Sequence, residues 1–597
     1  MVFVMAAKPS GGSVGVKVTV PDQTASGRHA FVRGEKRFGS PRRRSSFALT
    51  MPSRRRVHCP MPFRRVSANE RRLSLRSGPT ERKDSARRCV SVTGTGRHAA
   101  FSGLFAVAVV AGLFYACDTK AAQARPNVLI IMIDDHPSNY TDVFQTSAVH
   151  TPNMQRLAKR GTWFARGYND APICCASRTA LLTGVHATRS GVYYNNHAYR
   201  RTDTFISKVT TLPGLFLQHG YLTIGYGKVA HNSFLQDDVG DYTPGYYKYL
   251  DNPSDVTHPE SELAAHIIPG SLHEVPGPAT KNWSWGILPD DWDRDDPTKL
   301  QQDTEQANRT IAVLRQKQDR PFFMVCGFYR PHGPWTVAQR YYDKFPLDRI
   351  ELPVGYKAGD LEDVPKPGRW IATNRREHAA VVAAGMWKKG IQAVSAATAY
   401  IDDQIGRVLD ALEQGPNQQD TIVIFAADNG FHTGEKDHWL KFALWEQTCR
   451  VVFAISVPGL PVQQSATPVS LLDIYPTLTA LCGLPAPATH TLDGISLAGI
   501  LSGQTKDRGE PVLSTYGRGN HSLRDDRFRY IRYRNGDEEF YDDQNDPYEW
   551  KNLANNSQYH AAKTNLAKWL PKIEAPDIAK PMPALTHATW EDEAFEK

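Results

Sequence analysis

Runs of apolar residues that end in polar ones recur along the chain and predict strands buried on both faces. The first run, residues 128–133, has six consecutive apolar side chains and is followed by Asp134 and Asp135. A run without polar alternation is typical of a strand inside a parallel sheet. Further runs of this kind are found at residues 221–227, 321–328, 421–427 and 451–457.

Helical stretches separate these predicted strands. One clear helix begins at Thr151, an N-cap followed by Pro152 at the first helical position. Two others span roughly residues 393–412 and 471–482. Strands that alternate with helices over this length predict an α/β fold with a large, mostly parallel sheet covered on both sides. In such sheets ligands bind at the carboxyl ends of the strands.

The pattern changes near residue 510. Short, aromatic-rich strands are predicted at 529–533 and 538–541, followed by a helix near 559–570. We therefore expect a main α/β domain at residues 125–509 and a smaller α+β subdomain with an antiparallel sheet at 510–597.

The charge of the chain is distributed unevenly. Residues 1–100 carry 22 Lys and Arg against five Asp and Glu, whereas the remaining residues carry 49 against 57, a net charge of −8. Because a nucleic-acid-binding surface needs clustered cations on the folded body, this distribution argues against nucleic acid as a partner.

An apolar stretch at residues 101–117 is shorter than the span of about 20 residues that crosses a membrane, and it suits a signal peptide. Ala122 and Ala124 provide the small residues of a cleavage site, so residues 101–124 are predicted to direct export to the periplasm, the exterior or a lysosome-like compartment, without a membrane span in the mature form. A single-pass anchor and a lipid-modified Cys117 are the alternatives. Residues 1–100 then form a basic, disordered segment outside the mature protein, with translation starting at Met51 or Met61.

The chain has eight cysteines, and cleavage after Ala124 leaves five, an odd number for an exported protein. At least one is therefore expected to be unpaired or chemically altered. Any disulfide pairing among Cys175, Cys326, Cys449 and Cys482 stays open. No C-x-x-C pair exists, which excludes a zinc ribbon or a thioredoxin-like motif.

Polar side chains follow two of the predicted strands. Asp134 and Asp135 follow the first strand, and Asp428 and Asn429 follow the strand at 421–427. Both pairs leave their strands toward the ligand-binding edge of a parallel sheet, so they are expected to converge. Three carboxylates and an amide oxygen suit one hard divalent cation, Ca²⁺ or Mg²⁺, better than zinc.

The segment Cys174-Cys175-Ala176-Ser177-Arg178, followed by Leu181-Leu182-Thr183-Gly184, resembles the signature C-x-[PA]-S-R and L-L-T-G of the type I sulfatases. In that family the first cysteine is oxidised to formylglycine by a sulfatase-maturing enzyme. Of these two adjacent cysteines, only Cys174 has arginine four residues later, so Cys174 rather than Cys175 is the expected site of conversion. Ala176 stands where proline is commoner in the family.

The resemblance implies a sulfate-ester hydrolase with an alkaline-phosphatase-like α/β/α sandwich. By this resemblance the aldehyde hydrates to a diol, one hydroxyl attacks sulfur and releases the alcohol, and the other expels sulfate. The cation polarises the sulfate and lowers the pKa of the attacking hydroxyl. Residue 174 thereby joins the four polar residues at the strand ends as a metal ligand.

Further motifs extend the resemblance over about residues 125–555. Gly227-Lys228-Val229-Ala230-His231 resembles the G-K-x-x-H segment of the family, in which Lys228 binds the sulfate and His231 deprotonates the diol. His332, in Arg330-Pro331-His332, is implied to be the general acid. Lys441 is implied to hold a sulfate oxygen, and Arg178 to secure the nucleophile by charge-assisted hydrogen bonds.

Other histidines lack equally specific surroundings and are assigned structural roles by default, with His432 and His438 kept as candidate substrate contacts. The structural set is His136, His186, His197 and His219.

The motifs together with residues 472–478 and 546–553 look most like the iduronate-2-sulfatase group, although Asn429 stands where the human-type member has histidine. This implies a sulfated sugar or glycan as substrate, with specificity set by loops within 232–300 and 335–390. Choline sulfate and aryl sulfates are alternatives. A phosphatase or phosphonate hydrolase of the same fold, and a non-catalytic glycan-binding relative, are the competing classes.

Overall fold

The computed structural model describes residues 125–578, except residue 142 and residues 144–148, 196–198, 232–239, 249–284, 295–298 and 375. The basic segment 1–100, the signal peptide 101–124, Cys59, Cys89, Cys117 and His197 lie outside the described residues. Most of the predicted specificity loop at 232–300 also lies outside them. Export and the position of the mature N-terminus therefore stay predictions.

The strands were named in chain order. They are β1 Asn127–Ile133, β2 Thr162–Phe164, β3 Gly167–Tyr168, β4 Leu222–Gly227, β5 Tyr247–Lys248, β6 Trp285–Leu288, β7 Phe322–Gly327, β8 Trp335–Ala338, β9 Thr421–Ala427, β10 His432–Thr433, β11 Trp439–Leu440, β12 Arg450–Val451, β13 Phe453–Ser456, β14 Gln463–Ser465, β15 Val469–Ser470, β16 Val512–Thr515, β17 His521–Arg524, β18 Phe528–Arg532 and β19 Glu538–Asp542.

Eight strands form the central sheet, in the order β14-β2-β13-β9-β1-β7-β4-β5. The pairs that β1 makes with β7 and β9 are parallel, as are those of β4 with β7 and β5. All seven residues of β1 and of β9 are buried, so both faces of the sheet are covered at its centre. The prediction of a mostly parallel, doubly covered sheet is confirmed.

One predicted strand differs from the structure. The apolar run 451–457 is divided between β12, which pairs with β3, and β13, which pairs antiparallel with β9 and β2. Every residue from Val451 to Ile455 is buried, so the hydrophobic pattern contains no information about strand direction or about the break.

The α-helices were also named in chain order. They are α1 Pro152–Ala158, α2 Cys174–Thr183, α3 Ala187–Ser190, α4 Leu212–Gln218, α5 Gln302–Leu314, α6 Gln339–Tyr342, α7 Lys366–Thr373, α8 Glu377–Ala383, α9 Trp387–Glu413, α10 Glu446–Cys449, α11 Ile474–Leu481, α12 Ala498–Leu501 and α13 His560–Ala567.

Two groups of helices pack around the sheet. The longest helix, α9, contacts α5, α1 and α6, whereas α2 contacts α4 and α11. Thr151 caps α1 and Pro152 occupies its first turn, as predicted, but the Thr151 hydroxyl bonds to Thr141 Oγ1 at 2.7 Å rather than to the helix backbone. The helix predicted at 471–482 begins with a 3-10 turn, Leu471–Asp473, before α11.

A smaller antiparallel sheet, in the order β16-β17-β18-β19, follows in sequence. Leu523, Tyr530 and Phe540 form its core together with Leu566 of α13. This agrees with the predicted antiparallel strands and late helix. The division of the chain at residue 509 into two domains stays a prediction.

The five cysteines of the described chain, Cys174, Cys175, Cys326, Cys449 and Cys482, are all buried, and no disulfide joins any two of them. Within the same residues, no helix combines the length and apolar character needed to cross a membrane.

Candidate active site

The ends of the two central strands β1 and β9 bring four polar residues together. Ile133 lies opposite Ala427 in the parallel register, so Asp134 and Asp135 leave β1 beside Asp428 and Asn429. Asp135 has a left-handed φ of 54°, which is uncommon for a residue other than glycine. In this conformation its backbone N–H donates to Asp428 Oδ1 at 3.1 Å. The predicted convergence of the two strand ends is therefore present in the fold.

Cys174 is the first residue of α2 and lies directly against the strand ends. Its Sγ is 3.2 Å from Asp134 Oδ1 and 3.6 Å from Asp135 Oδ1. The side chain is completely buried. Cys175, by contrast, belongs to the hydrophobic core. The geometry thus separates the two adjacent cysteines, and only Cys174 faces the carboxylates.

Two lysines approach the Cys174 thiol from different elements. Lys441 Nζ is 2.6 Å from Sγ and forms an ion pair with Asp135. Lys228 Nζ is 3.8 Å from Sγ and forms an ion pair with Asp134. Residue 174 therefore lies in a pocket that combines paired carboxylates with two ammonium groups.

Glycine at position 227 is needed to bring Lys228 into this pocket. Gly227 ends β4 with a φ of 77°, and a Cβ there would lie 1.9 Å from Gly327 O of the neighbouring strand β7. The backbone N–H of Lys228 donates to the same carbonyl oxygen at 2.7 Å. Any side chain at 227 would force the two strand ends apart.

Arg178 lies one helical turn after Cys174 and is buried. Its Nε donates to Asp428 Oδ2 at 2.7 Å, and its guanidinium also bonds to the backbone carbonyls of Lys228 and Val229. Arg178 thus ties α2 to two other parts of the pocket. Its predicted contact with the nucleophile stays a prediction.

The two predicted acid–base histidines flank this pocket. His332 Nδ1 donates to Gly333 O at 2.5 Å, and its Nε2 is 3.4 Å from Asp135 Oδ2. His231 has a buried Nδ1 without a hydrogen-bond partner in the described part of the chain. Burial and the charges of Lys228, Lys441 and Arg178 hold the pKa of His231 well below its usual value.

Electrostatics fix the charge states of the groups around residue 174. Burial and the charge of Asp134 raise the pKa of the Cys174 thiol well above its usual value, so the sulfur is neutral. Burial alone would lower the pKa of Lys441, but the charge of Asp135 outweighs it and raises that pKa. Burial lowers the pKa of His332 to about 3, although Asp135 opposes the shift.

The strand ends fit a divalent cation. Asp134, Asp135, Cys174 and Asp428 each offer one ligand atom, and these atoms lie within 4.8 Å of one another. Asp135 Oδ2 and Asn429 Oδ1 are buried and make no hydrogen bond within the described chain. Because unsatisfied buried oxygens are costly, these two atoms suit a hard cation.

Tyr329 was missed by the sequence analysis. Its ring centroid is 4.9 Å from Lys228 Nζ and 4.7 Å from the centroid of the His332 ring. An aromatic residue directly after a buried strand resembles ordinary core, which hid its position beside two candidate site residues. Its place three residues before His332 was the available signal.

The histidines without a specific motif lie mainly in structural settings. His186 accepts from Thr188 N at the start of α3, and His219 Nδ1 bonds to Leu215 O. His438 is buried and bonds to the backbone carbonyls of Ala372 and Lys441, so it supports the lysine that contacts residue 174. His136 and His432 are completely buried.

Buried histidines predict a loss of stability in acid. Burial lowers the pKa of His378 to about 4. At pH values between this pKa and the ordinary histidine value, the residue is neutral in the folded protein and protonated in the unfolded chain. Between about pH 6.5 and pH 4 the unfolded state binds more protons, and the free energy of unfolding falls as the pH falls. The free energy of unfolding of the wild type should fall between pH 7 and about pH 4.5, and we expect His378→Phe to make this fall smaller by about 2 kcal/mol.

Urea unfolding of the wild type and the variant at both pH values measures this difference. His150→Phe, at an exposed position, is the control and should leave the acid loss unchanged. An identical acid loss in the wild type and His378→Phe would contradict the assignment.

The sheet, the paired acidic strand ends and the buried residue 174 between two lysines define a hydrolase of the alkaline-phosphatase-like class. A family model described as "Sulfatase" matches residues 126–484, and one described as "N-sulphoglucosamine sulphohydrolase, C-terminal" matches residues 434–575. The chain belongs to the sulfatase family and is a sulfuric ester hydrolase.

Individual relatives agree with this assignment. A sulfatase of Formosa agariphila is 33% identical over 79% of this chain and 88% of its own length. The human iduronate 2-sulfatase is 26% identical over 66% of this chain and 75% of its own. Among solved structures, the phosphonate monoester hydrolase of Agrobacterium radiobacter has a TM-score of 0.58 at 21% identity, covering 74% of this chain and 94% of that one, and thus shares the fold.

Proposed function

We propose that this protein hydrolyses the sulfate ester of a sugar or glycan, with formylglycine at position 174 and one divalent cation, Ca²⁺ or Mg²⁺. The observation that carries the proposal is the position of Cys174 Sγ, which contacts Asp134, Asp135 and Lys441. In the mature enzyme an oxygen of the oxidised residue takes the place of this sulfur. The maturing enzyme that performs the oxidation is the implied protein partner.

The cation has a defined set of residues to hold it. Asp134, Asp135, Asp428 and Asn429 provide the oxygens, and the two unsatisfied ones, Asp135 Oδ2 and Asn429 Oδ1, are the strongest indication of a cation. A bound cation supplies Lewis-acid stabilisation of the sulfate oxygens.

The two lysines carry the recognition of the sulfate group. The ammonium groups of Lys228 and Lys441 lie beside the thiol of residue 174. The anionic oxygens of a sulfate ester must lie at this place during attack on sulfur. Both remain protonated because the neighbouring carboxylates raise their pKa values despite burial. Fixed cations at this place neutralise the charge that otherwise repels a nucleophile.

The two proton transfers are assigned to different histidines, the acid role to His332 and the base role to His231. Since His332 Nδ1 donates to Gly333 O, the neutral ring has its proton on Nδ1, and Nε2 must gain a second proton to act as an acid. Asp135, 3.4 Å from Nε2, and an anionic ester oppose the burial that otherwise keeps the ring neutral. His231 is assigned by the resemblance to the family as the group that accepts a proton from residue 174, and its ring is neutral because burial and three neighbouring cations lower its pKa.

The sugar is supported by similarity to the protein named iduronate 2-sulfatase. Choline sulfate and aryl sulfates are the alternative substrates. Matched sulfate and phosphate esters test the reaction class, since the phosphonate hydrolase has the same fold. We expect the sulfate esters to be the better substrates. Faster turnover of the phosphate esters would contradict the proposal, and sugar binding without turnover would indicate a non-catalytic relative.

The acid role of His332 gives a separate prediction. His332→Ala should slow phenyl sulfate by about 10²-fold or more and 4-nitrophenyl sulfate far less, because only the poorer leaving group needs a proton. Steady-state kcat/KM values for both esters measure the difference. His219→Ala is the control variant, because His219 lies before β4 begins and not at its carboxyl end. Equal losses on the two esters would argue against the acid role.

A further inference from the structure

The loop that carries His332 begins where β7 ends, and its first residues are fixed from two sides. Phe328 N donates to Met132 O of β1 at 2.8 Å, which holds the loop to the strand that leads to Asp134. Within the loop, His332 N donates to Tyr329 O at 3.0 Å, so the place of His332 depends on the backbone at 329.

The second support is the carboxylate of Asp303. Its Oδ1 accepts from Tyr329 N at 2.6 Å and its Oδ2 accepts from Arg330 N at 3.0 Å. Asp303 lies in the first turn of α5, where the helix dipole favours a negative charge, and only 2% of its surface is exposed. One rigid, buried group therefore fixes two consecutive peptide units of the loop.

The fixed segment touches two candidate site residues at once. Tyr329 contacts Lys228 and His332 through its ring, and His332 faces Asp135. A shift of the backbone at 329 and 330 would move the imidazole away from the ester oxygen that it must protonate. Displacements of about 1 Å at a catalytic group can cost about 10²-fold in rate.

We propose that Asp303 is a positioning residue that places His332 for protonation of the leaving group, acting through the backbone of Tyr329 and Arg330. The inference rests on the proposed function of His332. Asp303 itself touches no reacting atom. Its loss should therefore affect leaving-group protonation and leave attack on sulfur nearly unchanged.

The test is the leaving-group dependence of Asp303→Asn. Asparagine has one acceptor oxygen, so at least one of the two N–H groups loses its partner. We expect kcat/KM for phenyl sulfate to fall about 10-fold to 100-fold, with 4-nitrophenyl sulfate changed by less than about threefold. A general loss of folding would lower both values together.

Asp402→Asn is the matched control. Asp402 is also a buried helical carboxylate that accepts from two consecutive backbone N–H groups, those of Asn153 and Met154, at 3.1 and 2.8 Å. It should lower the melting temperature to a similar extent without changing the ratio of the two kcat/KM values. Where Asp303→Asn does not fold, Asp303→Glu tests the same bonds, because it keeps the carboxylate but displaces its oxygens by one methylene, and the same selective loss is expected.

The outcomes separate this inference from the proposed function. A selective loss in both His332→Ala and Asp303→Asn supports it. A selective loss in His332→Ala together with equal losses on both esters in Asp303→Asn overturns it and leaves the proposed function standing. Absence of turnover of any sulfate ester by the wild type overturns both.

Discussion

Cys174→Ala is expected to abolish turnover of sulfate esters, with a fall in kcat of at least about 10³-fold. The side chain at 174 is the group that faces Asp134 and lies between Lys228 and Lys441, and alanine has no atom that can be converted into a nucleophile. The fold should be retained, because the change removes a single atom from a polar pocket. Steady-state kinetics and thermal unfolding measure the two effects.

Cys175→Ala is the matched control for this variant. It removes the same atom from the adjacent residue, whose side chain packs in the hydrophobic core. We expect a loss of about 1 kcal/mol in the free energy of unfolding and activity within tenfold of the wild type. Retained turnover in Cys174→Ala, or its loss only in Cys175→Ala, would contradict the assignment of the nucleophile.

Asp135→Asn is expected to cost about 10³-fold in kcat/KM, since Lewis-acid stabilisation by a cation contributes several kcal/mol. Among the oxygens of the candidate cation site, Asp135 Oδ2 is one of two buried atoms that make no hydrogen bond within the described chain, and Asp135 Oδ1 accepts hydrogen bonds from Lys441 and Asn429. The variant thus removes a formal charge from the candidate cation site at almost constant volume. A chelator should have a comparable effect on the wild type, and added Ca²⁺ or Mg²⁺ should reverse it.

Thermal unfolding gives a readout of cation binding besides activity. A ligand that binds only the folded state raises the melting temperature, so Ca²⁺ should stabilise the wild type more than Asp135→Asn. Asp402→Asn, a buried carboxylate outside the pocket, should retain the full Ca²⁺ effect. A wild type that is insensitive to chelator, or equal Ca²⁺ stabilisation in Asp135→Asn, would contradict a cation site at the strand ends.

The centre of the fold was predictable because it depends on a strong local signal. The long apolar runs that became β1 and β9 end in polar residues, and in a parallel sheet such ends lie at one edge. That reasoning brings Asp134 and Asp428 together although almost 300 residues separate them. The position of Cys174 required the resemblance to a family, since spacing alone does not place α2 against the strand ends.

Other features have no local signal. Two-residue strands such as β3 and β12 are too short to show a hydrophobic period. Because β12 and β13 belong to different sheets, the run 451–457 is divided between the two. The bond from Asp303 to the loop of His332 joins residues in different elements, and Asp303 itself looks like an ordinary acidic residue in the first turn of a helix. Tyr329 looks like core because it follows a buried strand. Such contacts arise from tertiary packing, which the sequence pattern does not encode.

The most direct measurement is peptide mass spectrometry across position 174 of the natively produced protein. The proposed function predicts a peptide in which residue 174 carries an aldehyde in place of its thiol, with Cys175 unmodified. An intact thiol at 174 in protein that hydrolyses sulfate esters would contradict it.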